Sequence, residues 1–283
     1  MSFVPSYDVP AGRRGYRLAA VYNGRSAGLL LLHGFMVTPG SARPMAERLH
    51  KQFGLLTHAP LLSGHGELPN KLHKVTHANW LAEAEAACRE MSKSVEQIFI
   101  VGHSMGAVLA AHLALQVPSV AGLILFAPVY HLPDRRLRWL RTLSPLLPWL
   151  SPYRIKKLRP LIRERVLDFD PTVDFDDPNN QAWLREVTRL PTSGLVAMVN
   201  LVEYGQPIWA RIRLPVVLFQ GKRDRAIKPA QQRVVFEQIG STNKTFHHLD
   251  GGHELMRPID LVHEQVWQET AVFLQKHLSF TRK

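Results

Sequence analysis

Residues 97–116 read QIFIVGHSMGAVLAAHLALQ and carry the strongest structural signal in the chain. The first part, Gln97–Val101, is a short apolar run of the kind found in buried strands. The last part, Ala107–Gln116, is rich in alanine and leucine and favours a helix. Between them lies a G-x-S-x-G pentapeptide centred on Ser104, which we call the serine turn (residues 102–106). A strand before this motif and a helix after it form the context that exposes the serine hydroxyl above a sheet edge.

Two properties of the serine turn indicate nucleophilic chemistry. The chain turns so tightly that the residues two positions either side of Ser104 need to be glycine, and Gly102 and Gly106 stand there. The helix that follows directs the positive end of its dipole at the serine, which favours a developing negative charge. We therefore predict that Ser104 is a catalytic nucleophile.

A serine nucleophile needs a base, and the base needs a carboxylate to orient it. The sequence has 14 histidines, so their positions decide between them. His253 follows the last strand candidate and precedes the closing helix, and Asp224 follows the strand candidate Val216–Gln220. The order serine, aspartate, histidine is the one found when a nucleophile sits on a strand-turn-helix motif. We predict Asp224 as the orienting acid and His253 as the base.

Other side chains near these positions receive different roles. Asp134 follows the strand candidate Leu123–Phe126 and is the alternative acid, but it lies further from its strand end and opens a basic helix, so we expect it to act as an N-cap instead. His103 lies inside the serine turn, and we expect its side chain to point away from the serine hydroxyl. Glu254 adjoins the predicted base, and we expect it to cap the loop or to be solvated.

The oxyanion of an acyl-transfer reaction needs two backbone N–H donors. We predict that one is the N–H of Met105 and the other that of Phe35, in the loop 33–36 (HGFM) that follows an apolar strand. Gly34 lets this loop turn inward, and His33 is expected to support it by hydrogen bonding. We expect the side chains of Phe35 and Met105 to face an acyl pocket, with ordinary core packing as the alternative. The candidate substrate-binding residues are His33, Gly34, Met36 and His103.

The rest of the chain alternates strands and helices, which predicts an α/β fold with a mostly parallel central sheet and helices on both faces. The strand candidates are Ala27–Leu32, Leu55–Ala59, Gln97–Val101, Leu123–Phe126, Val216–Gln220 and Thr245–Leu249. The helix candidates are Ala42–Gln52, Trp80–Met91 with Asn79 as N-cap, Ser104–Gln116, Ala230–Ile239 and Leu261–Lys276. No strand-like run occurs between 129 and 213, a stretch with many prolines. We predict a core of residues 1–128 and 214–283, with 129–213 as an inserted helical cap over the edge where ligands bind.

The first part of the cap, residues 131–165, carries most of the net positive charge. The formal net charge is +12, and residues 131–165 hold eight arginines and two lysines against Asp134 and Glu164. Leucines and tryptophans alternate with these cations, a mixture typical of surfaces that contact anionic membranes. The alternative is a cap whose leucines pack on the core and whose arginines are solvated. We expect no nucleic-acid partner, because no recognised binding module accompanies the charge.

Several functional classes are excluded by composition and missing motifs. One cysteine, Cys88, excludes an internal disulfide and a cysteine-rich zinc site. The sequence has no C-x-x-C, H-E-x-x-H, Walker or G-x-G-x-x-G motif, so we expect no metal and no cofactor. It also has no secretory signal pattern and no stretch of 18 apolar residues, so we expect a soluble, cytoplasmic protein.

Four motifs together resemble the α/β-hydrolase superfamily: HGF at 33–35, GHSMG at 102–106, GKRD at 221–224 and GGHEL at 251–255. Within it the chain is similar to the carboxylesterase and monoacylglycerol lipase group, and the GGHEL motif is similar to that of lysophospholipases. The resemblance implies the same nucleophile, acid, base and oxyanion donors as above. The sequence departs from many relatives at Ala107, where they have glycine, and in its strongly basic cap.

These observations predict a serine ester hydrolase that forms an acyl-enzyme on Ser104 and acts on a single-chain lipid ester such as a monoacylglycerol. Lysophospholipase, amide- or peptide-cleaving hydrolase, and non-catalytic lipid-binding protein are the alternatives. An exopeptidase needs a cap carboxylate that holds the free amine of its substrate. The candidates for that carboxylate are Asp168, Asp170, Asp174, Asp176 and Asp177.

Overall fold

A computed structural model gives the structure of the protein and describes residues 9–21, 26–66, 68–132, 135–160, 162–163, 166 and 172–278. The sheets comprise β1 (Tyr16–Leu18), β2 (Ala27–Leu32), β3 (Leu56–Ala59), β4 (Gln97–His103), β5 (Val120–Phe126), β6 (Trp149–Leu150), β7 (Leu190–Pro191), β8 (Val216–Gly221) and β9 (Lys244–Leu249). The α-helices with defined bounds include α1 (Arg43–Phe53), α2 (His77–Ser92), α3 (Met105–Gln116), α4 (Leu140–Leu143), α5 (Asn180–Val187), α6 (Thr192–Gly205), α7 (Pro229–Gln238) and α8 (His263–His277).

The central sheet has seven strands in the order β1-β3-β2-β4-β5-β8-β9. β1 is antiparallel to β3, and all other neighbours are parallel. Every residue of β2 and β8 is buried, as expected for parallel strands covered on both faces. All six predicted strands are present in this sheet. Strand β1 was not predicted, because its three residues are too few to show a periodic pattern.

Two hydrophobic layers enclose the sheet, one on each face. Along β2 and β4 consecutive side chains alternate between the layers: Leu30 and Ile100 join the layer with α2, α3 and α6, whereas Leu29 and Phe99 join the layer with α1 and α8. This alternation follows from the two-residue period of a strand. The predicted fold class, a mostly parallel sheet with helices on both faces, is confirmed.

Helix α2 begins earlier than the sequence analysis predicted. Thr76, not Asn79, is the N-cap: its side chain accepts the N–H of Asn79, and the side chain of Asn79 accepts the N–H of Thr76. Asn79 is therefore the third residue of the helix and completes a capping box. The prediction was wrong by three residues, because either side chain can serve as a cap.

The chain leaves the sheet after β5 and returns at β8, and these two strands are direct neighbours. We keep the name cap for residues 129–213; the boundaries themselves stay a prediction. Contrary to expectation, the cap contains two short strands, β6 and β7, which pair antiparallel with two residues each. Helix α6 anchors the cap on the core, since Gly205 lies so close to α3 that a Cβ atom there would approach Val108 Cγ1 to 2.5 Å.

Within the described ranges, no helix is both long enough and apolar enough to cross a membrane.

Candidate active site

Ser104 lies between the end of β4 and the start of α3, in a backbone conformation that residues other than glycine rarely adopt. Its backbone angles are φ 52° and ψ −108°. Two hydrogen bonds hold this strained residue. The Ser104 N–H donates to the carbonyl of Phe126 at 2.8 Å, and the Ser104 carbonyl accepts the N–H of Val129 at 3.3 Å. The serine is thus fixed by the strand next to its own.

The two glycines of the serine turn are required by space. A Cβ atom on Gly106 would lie 2.0 Å from the carbonyl oxygen of Leu32, on the neighbouring strand. A Cβ atom on Gly102 would lie 2.6 Å from the Cα of Ala107. Both distances are far inside van der Waals contact, so the backbone has to shift to accept any side chain. The spacing of the motif therefore reflects how closely α3 approaches β2 and β4.

Asp224 and His253 reach the same edge of the sheet because they follow the parallel neighbours β8 and β9. The loops after these strands lie in contact. A Cβ atom on Gly221, the last residue of β8, would lie 2.0 Å from the carbonyl oxygen of Gly252. His253 Nδ1 lies 2.8 Å from Asp224 Oδ2. The structure thus brings the predicted acid and the predicted base into direct hydrogen bonding.

The carboxylate of Asp224 is buried and fully hydrogen-bonded. Its Oδ1 accepts the backbone N–H groups of Ala226 and Ile227, both at 2.8 Å, and its Oδ2 also accepts Gln220 Nε2 at 3.0 Å. Burial alone raises the pKa of Asp224, but the hydrogen bond and charge of His253 and these other donors outweigh burial. The pKa therefore lies below the ordinary value for aspartate.

This arrangement determines the tautomer of His253. An ionised carboxylate only accepts hydrogen bonds, so Nδ1 of His253 carries the proton and donates it. Nε2 is then the basic nitrogen of the ring. This is the tautomer that a base needs in order to remove a proton from a serine hydroxyl.

His103 supports the loop that carries His253. Its Nε2 lies 3.2 Å from the backbone carbonyl of His253, and the two rings have centroids 4.7 Å apart. The side chain of His103 is therefore directed at the backbone of the base. Because His103 immediately precedes Ser104, this contact ties the predicted base to the serine turn.

Residues 33–36, which we call the oxyanion loop, pass directly over the serine. A Cβ atom on Gly34 would lie 3.3 Å from the Cβ of Ser104 and 2.9 Å from Nδ1 of His103. Glycine is thus the residue that allows this approach. The four predicted substrate-binding residues, His33, Gly34, Met36 and His103, all belong to the oxyanion loop or contact it.

His33 fixes one peptide group of the oxyanion loop. Its Nε2 accepts the N–H of Leu62 at 3.1 Å, so Nδ1 carries the proton and donates to the carbonyl of Gly34 at 2.9 Å. Burial holds the pKa of His33 well below its ordinary value, which keeps the ring in this neutral form. The N–H of Val37 donates to the same carbonyl at 3.3 Å.

The orientation of the Phe35 N–H follows from that carbonyl. A trans peptide is planar, and its N–H points away from its C=O. With the Gly34 carbonyl held by two donors, the Phe35 N–H is aimed to the opposite side. Within the ranges that the structure describes, neither the Phe35 N–H nor the Met105 N–H has a hydrogen-bond acceptor. Met105 is the first residue of α3, where backbone N–H groups lack helical partners.

An apolar cavity of about 90 Å³ opens between the oxyanion loop and the cap. Its lining includes Met36, Val37, Thr38, His65, Leu68 and Leu72 from the core and Ile162, Val166, Trp183, Val187 and Leu190 from the cap. Burial lowers the pKa of His65 to about 4, so this ring is neutral near pH 7.

The side chains of Phe35 and Met105 do not line this cavity, contrary to expectation. Met105 is fully buried in the core. The Phe35 ring packs edge-on against the rings of His65 and Trp80, with centroids 5.9 and 6.0 Å away. The cap residues that line the cavity were not predicted, because no periodic pattern marks them.

The structure describes only some of the other acidic candidates. Asp134, Asp168 and Asp170 fall outside the described residues. Asp174 and Asp177 accept the N–H groups of Asp176 and Asn179 in exposed turns. Glu254 pairs with Arg257 at 3.1 Å. Among the described residues, no group of three or more histidine, cysteine, aspartate or glutamate side chains is arranged to hold a metal ion.

Comparison with known proteins identifies similar lipolytic enzymes. The thermostable monoacylglycerol lipase of Bacillus sp. (strain H-257) is 26% identical over 250 residues, which cover 88% of this chain and 91% of that protein. Among solved structures, one of the metagenome-derived lipolytic enzymes LipS and LipT has a TM-score of 0.75 and 22% identity, over 95% of this chain and 100% of that one. The monoacylglycerol lipase of Paleococcus ferrophilus has a TM-score of 0.70 and 21% identity, over 93% of this chain and 99% of that one.

Residues 25–260 match the family described as Hydrolase_4 (serine aminopeptidase, S33). This match spans most of the 283 residues. The predicted resemblance to the carboxylesterase and monoacylglycerol lipase group is confirmed by the relatives above. The chain therefore belongs to the Hydrolase_4 family and is a hydrolase with the α/β-hydrolase fold.

Proposed function

We propose that the protein hydrolyses carboxylic esters through an acyl-enzyme on Ser104, and that its substrate is a single-chain lipid ester such as a monoacylglycerol. The observation that carries this proposal is the hydrogen bond of 2.8 Å between His253 and the buried Asp224, at the same sheet edge as the strained Ser104. The 26% identity to a monoacylglycerol lipase supports the same substrate class.

The reaction proceeds in two acyl transfers. Nε2 of His253 takes the hydroxyl proton of Ser104 as Oγ attacks the ester carbonyl, and Asp224 stabilises the imidazolium that forms. The tetrahedral intermediate then collapses, the C–O bond to the alcohol breaks, and His253 returns the proton to the departing alcohol. In the second transfer His253 takes a proton from water as the water oxygen attacks the acyl carbon. The bond between the acyl carbon and Oγ of Ser104 then breaks, the carboxylic acid is released, and His253 returns the proton to Ser104.

The N–H groups of Phe35 and Met105 stabilise the oxyanion in both steps. Each such donor contributes about 3–4 kcal/mol to the transition state in serine hydrolases. The loop bearing Phe35 is held before substrate arrives, because His33 already fixes the carbonyl of Gly34. A preorganised donor does not have to reorient during the reaction, which is the source of its effect.

The apolar cavity is evidence that the substrate binds through a lipid acyl chain. It adjoins the oxyanion loop through Met36, and its described lining carries no carboxylate and no cation. An acyl chain gains free energy from burial there, whereas the free amine of a peptide finds no partner. The cavity therefore favours an ester of a fatty acid over an aminopeptidase substrate.

A lysophospholipid is the second candidate substrate. It has a single acyl chain, as a monoacylglycerol does, and an anionic phosphate in its headgroup. The basic cap favours it, since residues 131–165 carry a net charge of +8 from ten cations and two acids.

The cytoplasmic location and the division into a core (1–128 and 214–283) and a cap (129–213) are part of the same proposal.

The test is hydrolysis of p-nitrophenyl esters from acetate to laurate, followed by a monoacylglycerol and a lysophospholipid with the same acyl chain. We expect activity that peaks at medium or long chains and is abolished in Ser104→Ala. Ser92→Ala, at the end of α2, is the matched control and should stay active. A fluorophosphonate probe should label the wild type and Ser92→Ala but not Ser104→Ala.

Each other outcome overturns part of the proposal. Activity confined to acetate contradicts the acyl-chain cavity. Activity on aminoacyl amides but not on esters replaces the esterase with a peptidase. A folded protein that neither reacts with the probe nor hydrolyses any substrate is a non-catalytic binding protein.

A further inference from the structure

The cap exposes an unusual amount of apolar side chain. We call residues 136–160 the basic segment. It contains six of the 13 large hydrophobic residues that are exposed in the described ranges: Trp139, Leu143, Leu146, Leu147, Ile155 and Leu158. Leu146 is 84% exposed and Trp139 is 68% exposed. Such a concentration of exposed apolar side chains in one stretch marks an interaction surface.

The same segment is strongly and uniformly positive. It has five arginines, two lysines and no aspartate or glutamate. All seven cations lie at exposed positions. From outside the segment, Glu203 pairs with Arg138 at 2.8 Å and with Arg141 at 2.5 Å. The segment therefore has a net charge of +7 and presents its cations at the protein surface.

We propose that the basic segment docks the protein on an anionic lipid surface. Its cations meet the phosphates of the headgroups, and Trp139 and Leu146 enter the boundary between headgroups and acyl chains. Arginine, lysine, tryptophan and leucine in one exposed stretch are the side chains that bind such an interface. This inference deepens the proposed function, because it names the surface from which a single-chain lipid ester is drawn.

Charge and polarity distinguish this occupant from the others. A second copy of the chain would bring two positive segments together, and like charges repel. A nucleic acid would satisfy the cations but would leave Trp139 and Leu146 in water. A lipid surface satisfies the cations and the apolar side chains together.

Vesicle co-sedimentation tests the proposal without catalysis. Ser104→Ala is mixed with vesicles of phosphatidylcholine alone or of phosphatidylcholine with phosphatidylglycerol. We expect binding to the anionic vesicles at about 10 mM NaCl, where charges act over about 30 Å, and loss of that binding near 1 M NaCl, where they act over about 3 Å. Equal binding to neutral and anionic vesicles would overturn the proposal.

A pair of double variants tests whether the basic segment itself is responsible. Lys156→Gln with Lys157→Gln should weaken binding about 25-fold, since each surface cation contributes about fivefold. Lys51→Gln with Lys276→Gln removes the same charge from exposed positions on α1 and α8 and should leave binding unchanged. If both pairs weaken binding equally, overall charge and not the segment is responsible, and the proposal fails.

Two leucines of equal exposure test the apolar contribution. Leu146 is 84% exposed in the cap, and Leu261 is 82% exposed in the loop before α8. Leu146→Ser should weaken vesicle binding about tenfold, whereas Leu261→Ser should not. Equal effects, or binding to duplex DNA without binding to vesicles, would overturn the proposal.

The two proposals fail separately. Hydrolysis of a short soluble ester tests the active site and should be the same in the Lys156→Gln, Lys157→Gln variant as in the wild type. Vesicle binding by Ser104→Ala without any esterase activity of the wild type would contradict the proposed function alone. Esterase activity without vesicle binding would contradict the docking surface alone.

Discussion

At the sheet edge the carboxylate of Asp224 is buried and accepts hydrogen bonds from His253, Gln220 and two backbone N–H groups. On the cap, seven cations between residues 136 and 160 lie at exposed positions with no acidic residue in the same stretch. The carboxylate at the sheet edge is therefore satisfied inside the protein, whereas the cations of the cap lie at the surface, where a partner can contact them.

The charges of these two regions therefore act in different ways. A buried, hydrogen-bonded charge keeps its position, and removing one partner is costly because the others stay buried. An exposed cation contributes little to stability, and it acts mainly through long-range attraction that salt screens. Substitutions at the edge should therefore change activity or folding, and substitutions on the cap should change where the protein binds.

The largest effect is expected from Asp224→Asn. The amide cannot hold His253 in the tautomer with Nδ1 protonated, so the base presents the wrong nitrogen to Ser104. We expect kcat to fall about 10⁴-fold, as for this change in other serine triads. Steady-state kinetics on a soluble ester measure it. Asp176→Asn, at an exposed position on the cap, is the control, and an equal loss there would refute the distinction.

Gly106→Ala should affect folding more than any substitution on the cap. The added Cβ would lie 2.0 Å from the Leu32 carbonyl, so β2 and α3 have to separate. We expect a loss of about 3–5 kcal/mol in the free energy of unfolding, measured by urea denaturation. Gly12→Ala is the matched control, because nothing lies within 4 Å of a Cβ atom there. A Gly106→Ala protein as stable as Gly12→Ala would show that the turn is not tightly packed.

Acid should destabilise the core through its buried histidines. Burial lowers the pKa of His58 and of His65 to about 4 and that of His33 well below its ordinary value. Between pH 6.5 and about 4 the unfolded chain binds protons that the folded core does not, so stability falls as pH falls, by up to about 1.4 kcal/mol per pH unit for each histidine.

Urea denaturation at several pH values between about 7 and about 5 measures this slope. His58→Gln should reduce the dependence of the free energy of unfolding on pH by the contribution of one histidine. Lys156→Gln on the cap should leave it unchanged, because lysine stays protonated throughout this window. A slope that does not respond to His58→Gln would mean that other groups cause the acid sensitivity.

The same contrast explains what could be predicted from the sequence. Ser104, Asp224 and His253 were predictable because each follows a strand, and parallel strands bring their following loops to one edge. The glycines at 102 and 106 report a steric requirement that is local in sequence. The hydrogen bond between Asp224 and His253 follows from the neighbouring positions of β8 and β9.

The cap was less predictable, because its contacts are distant in sequence. β6 and β7 have two residues each, which is too short for any periodic pattern, and their pairing joins residues 149–150 with 190–191. Trp183 and Val187 of α5 line the same cavity as Met36 and Leu68 of the core, which lie far away in the sequence. The N-cap of α2 was misplaced for a local reason, since Thr76 and Asn79 cap each other.

The pairing of β5 with β8 has a consequence for how such a protein diverges. Phe126 and Phe219 are partners in the sheet, and neighbouring strands lie about 4.8 Å apart, so the whole cap is a chain loop closed at its base. Doubling the length of a flexible loop costs only about 0.6 kcal/mol in closure entropy. Insertions and replacements in the cap therefore cost the sheet little stability, and selection can exchange one cap for another while the proposed catalytic residues stay in place.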